Sequence, residues 1–483
     1  MRQTSATYRR ALTLLVVAPA LGLGLGCDDD ARSPAGDAPA TYTFESRFEA
    51  GTSVSHGGQT ARHTLITALA NHIGGIDDTT YAGASAGAVV ADLDFFYDFK
   101  NAGGTAAEPI SLTLPGDGVV LQKTFGDLGV ASLEEKMADI EPGVGWTGGV
   151  VGWGDGSIPP TALMDLWSTA LETLVLARTN DAAIPTNPLG QDIALPYVNA
   201  AGIDYRQLIQ KFLLGAVAYS QAADKYLDDD TDGQGLLSDN TGPVVKDGAA
   251  APYTALEHAW DEGFGYFGAA ADYGDYTDEE LSAKGGRDGW ANGYYDTDKD
   301  RRIDLASEYN WGASANAAKR DRGAVVATDF TKQANDAFIG GRHLITTAGG
   351  ALSTDQLAAL RNYRDAGLGA WELAIGATVV HYINTVLVDM SRIGTDDYTF
   401  TDHAKHFSEL KGFALGLQFN PHSRLADTEF AALHAKLGDQ PVLSGQTDID
   451  AYATALVEGR DILVEAYGFD PANAGDSEGL GGW

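Results

Sequence analysis

The chain reads as an all-α protein built of helical bundles, and three observations carry that reading. Apolar residues recur at three- and four-residue spacing over several long segments, alternating strand patterns are scarce, and the segments are joined by long Gly/Asp-rich connections. The first helical pattern runs from Gln59 to Ile73. A second carries Leu163, Leu166, Trp167, Ala170 and Leu174, and a third Leu208, Phe212, Gly215 and Tyr219. The longest spans Thr354 to about Ile393, with Trp371, Ile375, Thr378, Tyr382 and Val386 on one side and a Ser353–Gln356 capping box at its start. A last helix begins near Thr447, with Asp450 in its first turn and Ile449, Tyr452, Leu456 and Leu463 facing inward. Short strands are expected only near Tyr42–Phe44 and over Ile110–Leu121, the latter with a Pro-Gly-Asp-Gly turn. Glycine is abundant, at 59 of 483 residues, and Gly215, Gly369 and Gly376 fall inside helical patterns. Each costs about 1 kcal/mol against alanine, which close helix–helix packing would offset.

Ahead of these helices stands a leader. Arg2, Arg9 and Arg10 precede the apolar run Ala11–Ala20, and Leu23-Gly24-Leu25-Gly26 leads into Cys27, the only cysteine. This is the order of a secretory signal, and a cysteine directly after small residues reads as a lipoprotein signal over 1–26, lipidated at Cys27. Gly24 departs from the leucine that such signals favour. Residues 27–41 form a flexible acidic spacer, and the body follows over 42–483. The body has no partner for a disulfide, no thiolate metal site and no apolar run near the roughly 20 residues that cross a bilayer. Its expected place is the bacterial cell envelope, held at the membrane through the N-terminal lipid. The formal charge of −35 repels nucleic acid and anionic headgroups and suits capture of cations.

Two histidine segments carry candidate metal chemistry. On a helix, His258, Asp261 and Glu262 stand three and four apart, so an imidazole and two carboxylates converge on one side to hold a metal or position a base. His403, His406 and Glu409 repeat the grammar, with His406 and Glu409 the better pair. Both segments continue into Gly-Phe, a faint sign of internal duplication. The competing arrangement is a buried histidine bonded to acids at the first segment, and a scatter of polar groups on an exposed face at the second.

Tyr42-Thr43-Phe44-Glu45, Gly58-Gln59-Thr60-Ala61-Arg62, Gly202-Ile203-Asp204-Tyr205-Arg206-Gln207 and the block Trp260–Gly268 resemble a family of bacterial lipoproteins, domain of unknown function 4856. The resemblance continues through Trp371–Asn384 and Lys411-Gly412-Phe413, covering nearly the whole body. That family is similar to imelysin-like, iron-regulated proteins in being helical and lipid-anchored. The resemblance therefore implies two imelysin-like bundles, at about 42–330 and 331–483, and a part in iron or haem acquisition beside uptake-system proteins. Imelysins carry Gly-x-His-x-x-Glu; here Leu256 and Asp261 replace the glycine and glutamate around His258, and Ala404 replaces the glycine before His406.

Two acidic loops offer a second cation chemistry. Asp228, Asp230, Asp232 and Gly233, with Asp239 at the twelfth place, follow the spacing of a helix–loop Ca²⁺ site. Asp296, Asp298, Asp300 and Asp304 match it less well, since Arg301 occupies the bend where glycine is expected. Solvated turns produce the same runs in so acidic a chain. Separately, Gly83-Ala84-Ser85-Ala86-Gly87 satisfies the Gly-x-Ser-x-Gly pattern of a serine hydrolase, which needs a strand before it and a helix after.

The function expected from the sequence is an envelope-anchored lipoprotein that binds a metal or metal-bearing ligand, iron, another divalent ion or Ca²⁺. A serine hydrolase using Ser85 and a structural surface protein without catalysis are the alternatives.

Overall fold

Capping residues set where the helices begin. Thr254 and Glu257, and Ser353 and Gln356, form reciprocal capping boxes in which each side chain accepts from the other's backbone N–H. Asp204 and Asp329 cap two more starts by accepting from the N–H three residues on. A computed structural model describes residues 38–138, 148–181, 184–246 and 248–483. The leader, Cys27 and the spacer as far as residue 37 lie outside the described residues.

Thirteen α-helices are described: α1 (Gly57–Gly74), α2 (Ala88–Tyr97), α3 (Pro160–Asp181), α4 (Tyr205–Leu213), α5 (Ala255–Phe267), α6 (Asp278–Leu281), α7 (Gly312–Gly323), α8 (Phe330–Ala348), α9 (Thr354–Ser391), α10 (Phe400–Gly416), α11 (Asp427–Leu437), α12 (Gln446–Tyr467) and α13 (Pro471–Ala474). The fold is mostly all-α, as its periodicity predicts. The 38-residue α9 is the centre, packed by α7, α8, α10 and α12. By length and composition it is the one described helix able to cross a membrane, a length the leader alone was expected to approach; 72% of its apolar stretch is buried inside the protein.

α4 does not stop at Leu213. It widens into π-helical turns over Leu214–Tyr219 and Ala222–Tyr226, a geometry enriched at functional sites. Glycine lets this segment approach α10: a Cβ on Gly215 would lie 2.6 Å from the Gly416 Cα. Gly376 is likewise required, since its Cβ would meet the Tyr467 ring at 2.7 Å, whereas Gly369 meets only the Arg424 guanidinium at 3.7 Å.

One hydrophobic cluster extends from Tyr42 to Trp483 and crosses position 330, with α5 and α7 packed on α8. A smaller one gathers Leu114, Tyr294, Ile303, Leu305 and Trp311. Neither expected strand forms. The Ile110–Leu121 stretch contributes a single parallel bridge, Val120 to Ile303, and the Tyr42–Phe44 stretch has its bridge just beyond, between Glu45 and Thr52. The sheet is instead an antiparallel hairpin, Pro243–Lys246 with Ala249–Thr254, whose run Ala249-Ala250-Ala251-Pro252 carries no alternation to betray it.

Candidate functional site

The capping box of α5 delivers Glu257 and Asp261 to one side of the helix, and there both meet Arg342 from α8. Arg342 Nε donates to Asp261 Oδ1 at 2.8 Å and Nη1 to Glu257 Oε1 at 3.2 Å, with all three side chains fully buried. The Tyr42 hydroxyl also donates to Asp261 Oδ1, at 2.7 Å, and Ser53 accepts from Nη2. Burial and the Asp261 charge push the Tyr42 phenol well up. Asp261 is thus consumed by the core and does not converge with His258. Three residues along a helix turn through about 300°, which is enough to carry it to a different neighbour.

His258 and Glu262 do stay together, 3.8 Å apart from Nε2 to Oε1. Nδ1 is within 3.1 Å of the Ser55 carbonyl and so carries the proton, while Gln59 donates to Glu262. In α10, His406 turns to Asp389 of α9, with Nδ1 2.7 Å from Oδ2. Glu409 faces Lys211 at 3.5 Å instead. The first expected metal set therefore keeps His258 with Glu262 but loses Asp261, and the second is split between partners on α9 and α4.

Among the described residues, two groups of three ligands gather within 4.8 Å: Asp228, Asp229 and His422, and Asp296, Asp298 and Glu308. The first takes only Asp228 from the expected loop. Asp230 accepts from Thr231, and Asp239 from Thr241. Arg364 of α9 stands inside this group, its Nη1 3.0 Å from Asp229, 3.1 Å from His422 Nε2 and 3.9 Å from Asp228. His422 Nε2 also lies 2.9 Å from Asp228 Oδ1. Burial pushes the Asp228 carboxyl up, but the His422 contact and nearby backbone N–H groups hold it below its ordinary value. A guanidinium already fills the position that a metal would take.

The second group holds no such cation. Asp296 accepts from the backbone N–H of Asp300 and Arg301, at 3.1 and 2.8 Å, and Asp298 from Asp300 at 2.9 Å. Arg302 is drawn off by Asp300, with Nε 2.9 Å from Oδ2. Arg301 adopts φ +69°, the left-handed conformation a Ca²⁺ loop needs at its sixth place, without the glycine that usually supplies it. Ile303, at the eighth place, exchanges backbone bonds with Val119 and Leu121 at 2.7 and 2.9 Å. Asp304 accepts from Gln122 at 2.8 Å, away from the group.

Glu308 closes the loop. It is 4% exposed and accepts from the Thr297 N–H at 2.7 Å and the Asp304 N–H at 2.9 Å. It stands one place beyond the twelfth residue from Asp296, where a search at fixed spacing passes over it. Nearby Asp272 is 8% exposed with neither oxygen bonded, and burial, then Asp275 and Glu308, push its carboxyl up to about 7. Among the described residues no lysine or arginine side chain bridges Asp296, Asp298 or Glu308.

Residues 175–361 match the family model described as Domain of unknown function (DUF4856). This stretch is a DUF4856 domain. It contains α5, Arg342 and the aspartates of both loops; Arg364 and His422 lie beyond it, as do the resembling segments at Tyr42 and Lys411. No curated protein and no solved structure matches the chain.

Ser85 is exposed and preceded by turns rather than a strand. The N–H groups of Gly87, Val89 and Val90 at the start of α2 are taken by Glu172, at 2.9 to 3.2 Å.

Proposed function

We propose that the chain is an envelope lipoprotein, tethered through Cys27, whose body binds Ca²⁺ at the loop from Asp296 to Glu308. The observation that carries this reading is the gathering of Asp296, Asp298 and Glu308 within 4.8 Å, with the loop's one paired arginine engaged by Asp300. The donors are all carboxylate oxygens, which suits a hard cation such as Ca²⁺ and offers haem no imidazole or thiolate. Asp300 joins as a ligand once it releases Arg302.

The ion's role is structural. Through Ile303 it ties the loop to Val120 and so closes the small cluster of Leu114, Tyr294, Ile303, Leu305 and Trp311. The test is isothermal titration of chelator-treated protein with CaCl₂. One site is expected, with Kd of about 10⁻⁴ to 10⁻³ M, the range of extracellular Ca²⁺ modules. Loss of the heat in Glu308→Gln supports the assignment, and equal heat in that variant overturns it.

A further inference from the structure

An open cleft of about 450 Å³ lies between residues 52–57, which lead into α1, and residues 304–307 at the far end of the acidic loop. The volume falls within the range of small-molecule sites, which set a few placed polar groups in apolar walls. Val54, Ala271 and Ala306 supply apolar wall, and no lysine or arginine lines the cleft among the described residues.

Asp304 carries the charge of this cleft. Gln122 and the Ala306 N–H both donate to its Oδ1, at 2.8 Å each, which leaves Oδ2 to accept from a ligand. His56 stands among the lining residues, 8% exposed, and its Nδ1 has no hydrogen-bond partner. Burial pushes the imidazole below its ordinary value, with Asp261 and Asp304 opposing the shift. The ring is therefore neutral and offers one donor and one acceptor. The Ser55 and Ser307 hydroxyls are two more groups of that double kind. A buried ring nitrogen without a partner is costly to keep, and a ligand that supplies the bond removes the cost. One carboxylate with no cation beside it repels anions, and it gives a hard metal ion too few oxygens. A saturated ring bearing neighbouring hydroxyls does match. Each hydroxyl both donates and accepts, and the C–H face of the ring is apolar.

We propose that this cleft binds a neutral sugar, with adjacent hydroxyls paired to Asp304 Oδ2 and His56 and the C–H face of the ring against Val54 and Ala306. The experiment is calorimetric titration of the full chain with cellobiose, maltose, lactose and N,N′-diacetylchitobiose in turn. Saturable binding of at least one of the four is expected. Asp304→Asn keeps the acceptor that Gln122 and Ala306 use and puts a donor in place of Oδ2. Affinity should then fall about tenfold, the scale of one charge-assisted hydrogen bond. Thr43→Trp, at an exposed lining position, fills the mouth and should abolish binding. Both variants should keep the wild-type melting temperature. No saturable binding of any of the four sugars, or an affinity that either variant leaves unchanged, overturns the proposal.

Discussion

The loops that begin at Asp228 and at Asp296 share one spacing of aspartates and fold to opposite electrostatic ends. At Asp228 an arginine 135 residues beyond Asp229 enters the carboxylates and neutralises them from within. At Asp296 the loop's own Arg302 is held aside by Asp300, and the buried Glu308 adds a further negative charge beneath the more open Asp296 and Asp298. Local spacing therefore places oxygens, but a distant side chain decides whether those oxygens await a cation. The regular-looking loop is internally paired, and the one with a poor bend residue is the better site.

Removal of Arg364 tests the paired loop most severely. Arg364→Ala leaves Asp228 and Asp229 without their buried partner and should lower stability by about 3–5 kcal/mol, read from urea denaturation. The vacated group then has two carboxylates and an imidazole, so Zn²⁺ should restore part of the loss in this variant and none in wild type. At the open loop the expected effect is smaller and of opposite kind. Saturating Ca²⁺, at about 100 times Kd, should stabilise wild type by about 2.7 kcal/mol and Glu308→Gln by much less, read from melting temperature.

Acid separates the loops from the core. His63 and His403 are held neutral by burial, each down to about 4. The unfolded chain takes up their protons at pH 6.5 and the folded chain does not, so the contribution of these two histidines is full above pH 6.5 and falls as pH drops toward 4, while the raised Asp272 carboxyl offsets part of it. The slope is at most about 1.4 kcal/mol per pH unit for each histidine. The depressed carboxylate Asp228 contributes above its unfolded value of 3.8 and is lost only below it. Urea midpoints at pH 7, 5 and 4 should therefore fall equally in wild type and in Asp228→Asn; a difference between them in this window would place the acid sensitivity in the loop. The smallest effect belongs to Asp300→Asn, an exposed ion pair worth roughly 0–1 kcal/mol, which should barely move the melting temperature while weakening Ca²⁺ severalfold.

The sequence conveys the helices well because their signals are local. The Ser353–Gln356 box and the inward Tyr452, Leu456 and Leu463 stand where periodicity puts them. The hairpin at Pro243–Thr254 escapes because alanine and proline carry no strand pattern. Site residues escape for a different reason. Helical spacing placed Asp261 beside His258, and only the fold brings Arg342 to claim it. Nothing near His422 in the chain points to Asp228, and Glu308 misses the expected position by a single residue.

Ca²⁺ titration of three proteins side by side asks most directly whether the unpaired loop is the cation site. Wild type and Asp228→Asn should each bind one Ca²⁺ with the same affinity, and Asp296→Asn should bind none. Ca²⁺ binding that survives Asp296→Asn but disappears in Asp228→Asn, or no binding at millimolar Ca²⁺ in any of the three, would contradict the assignment.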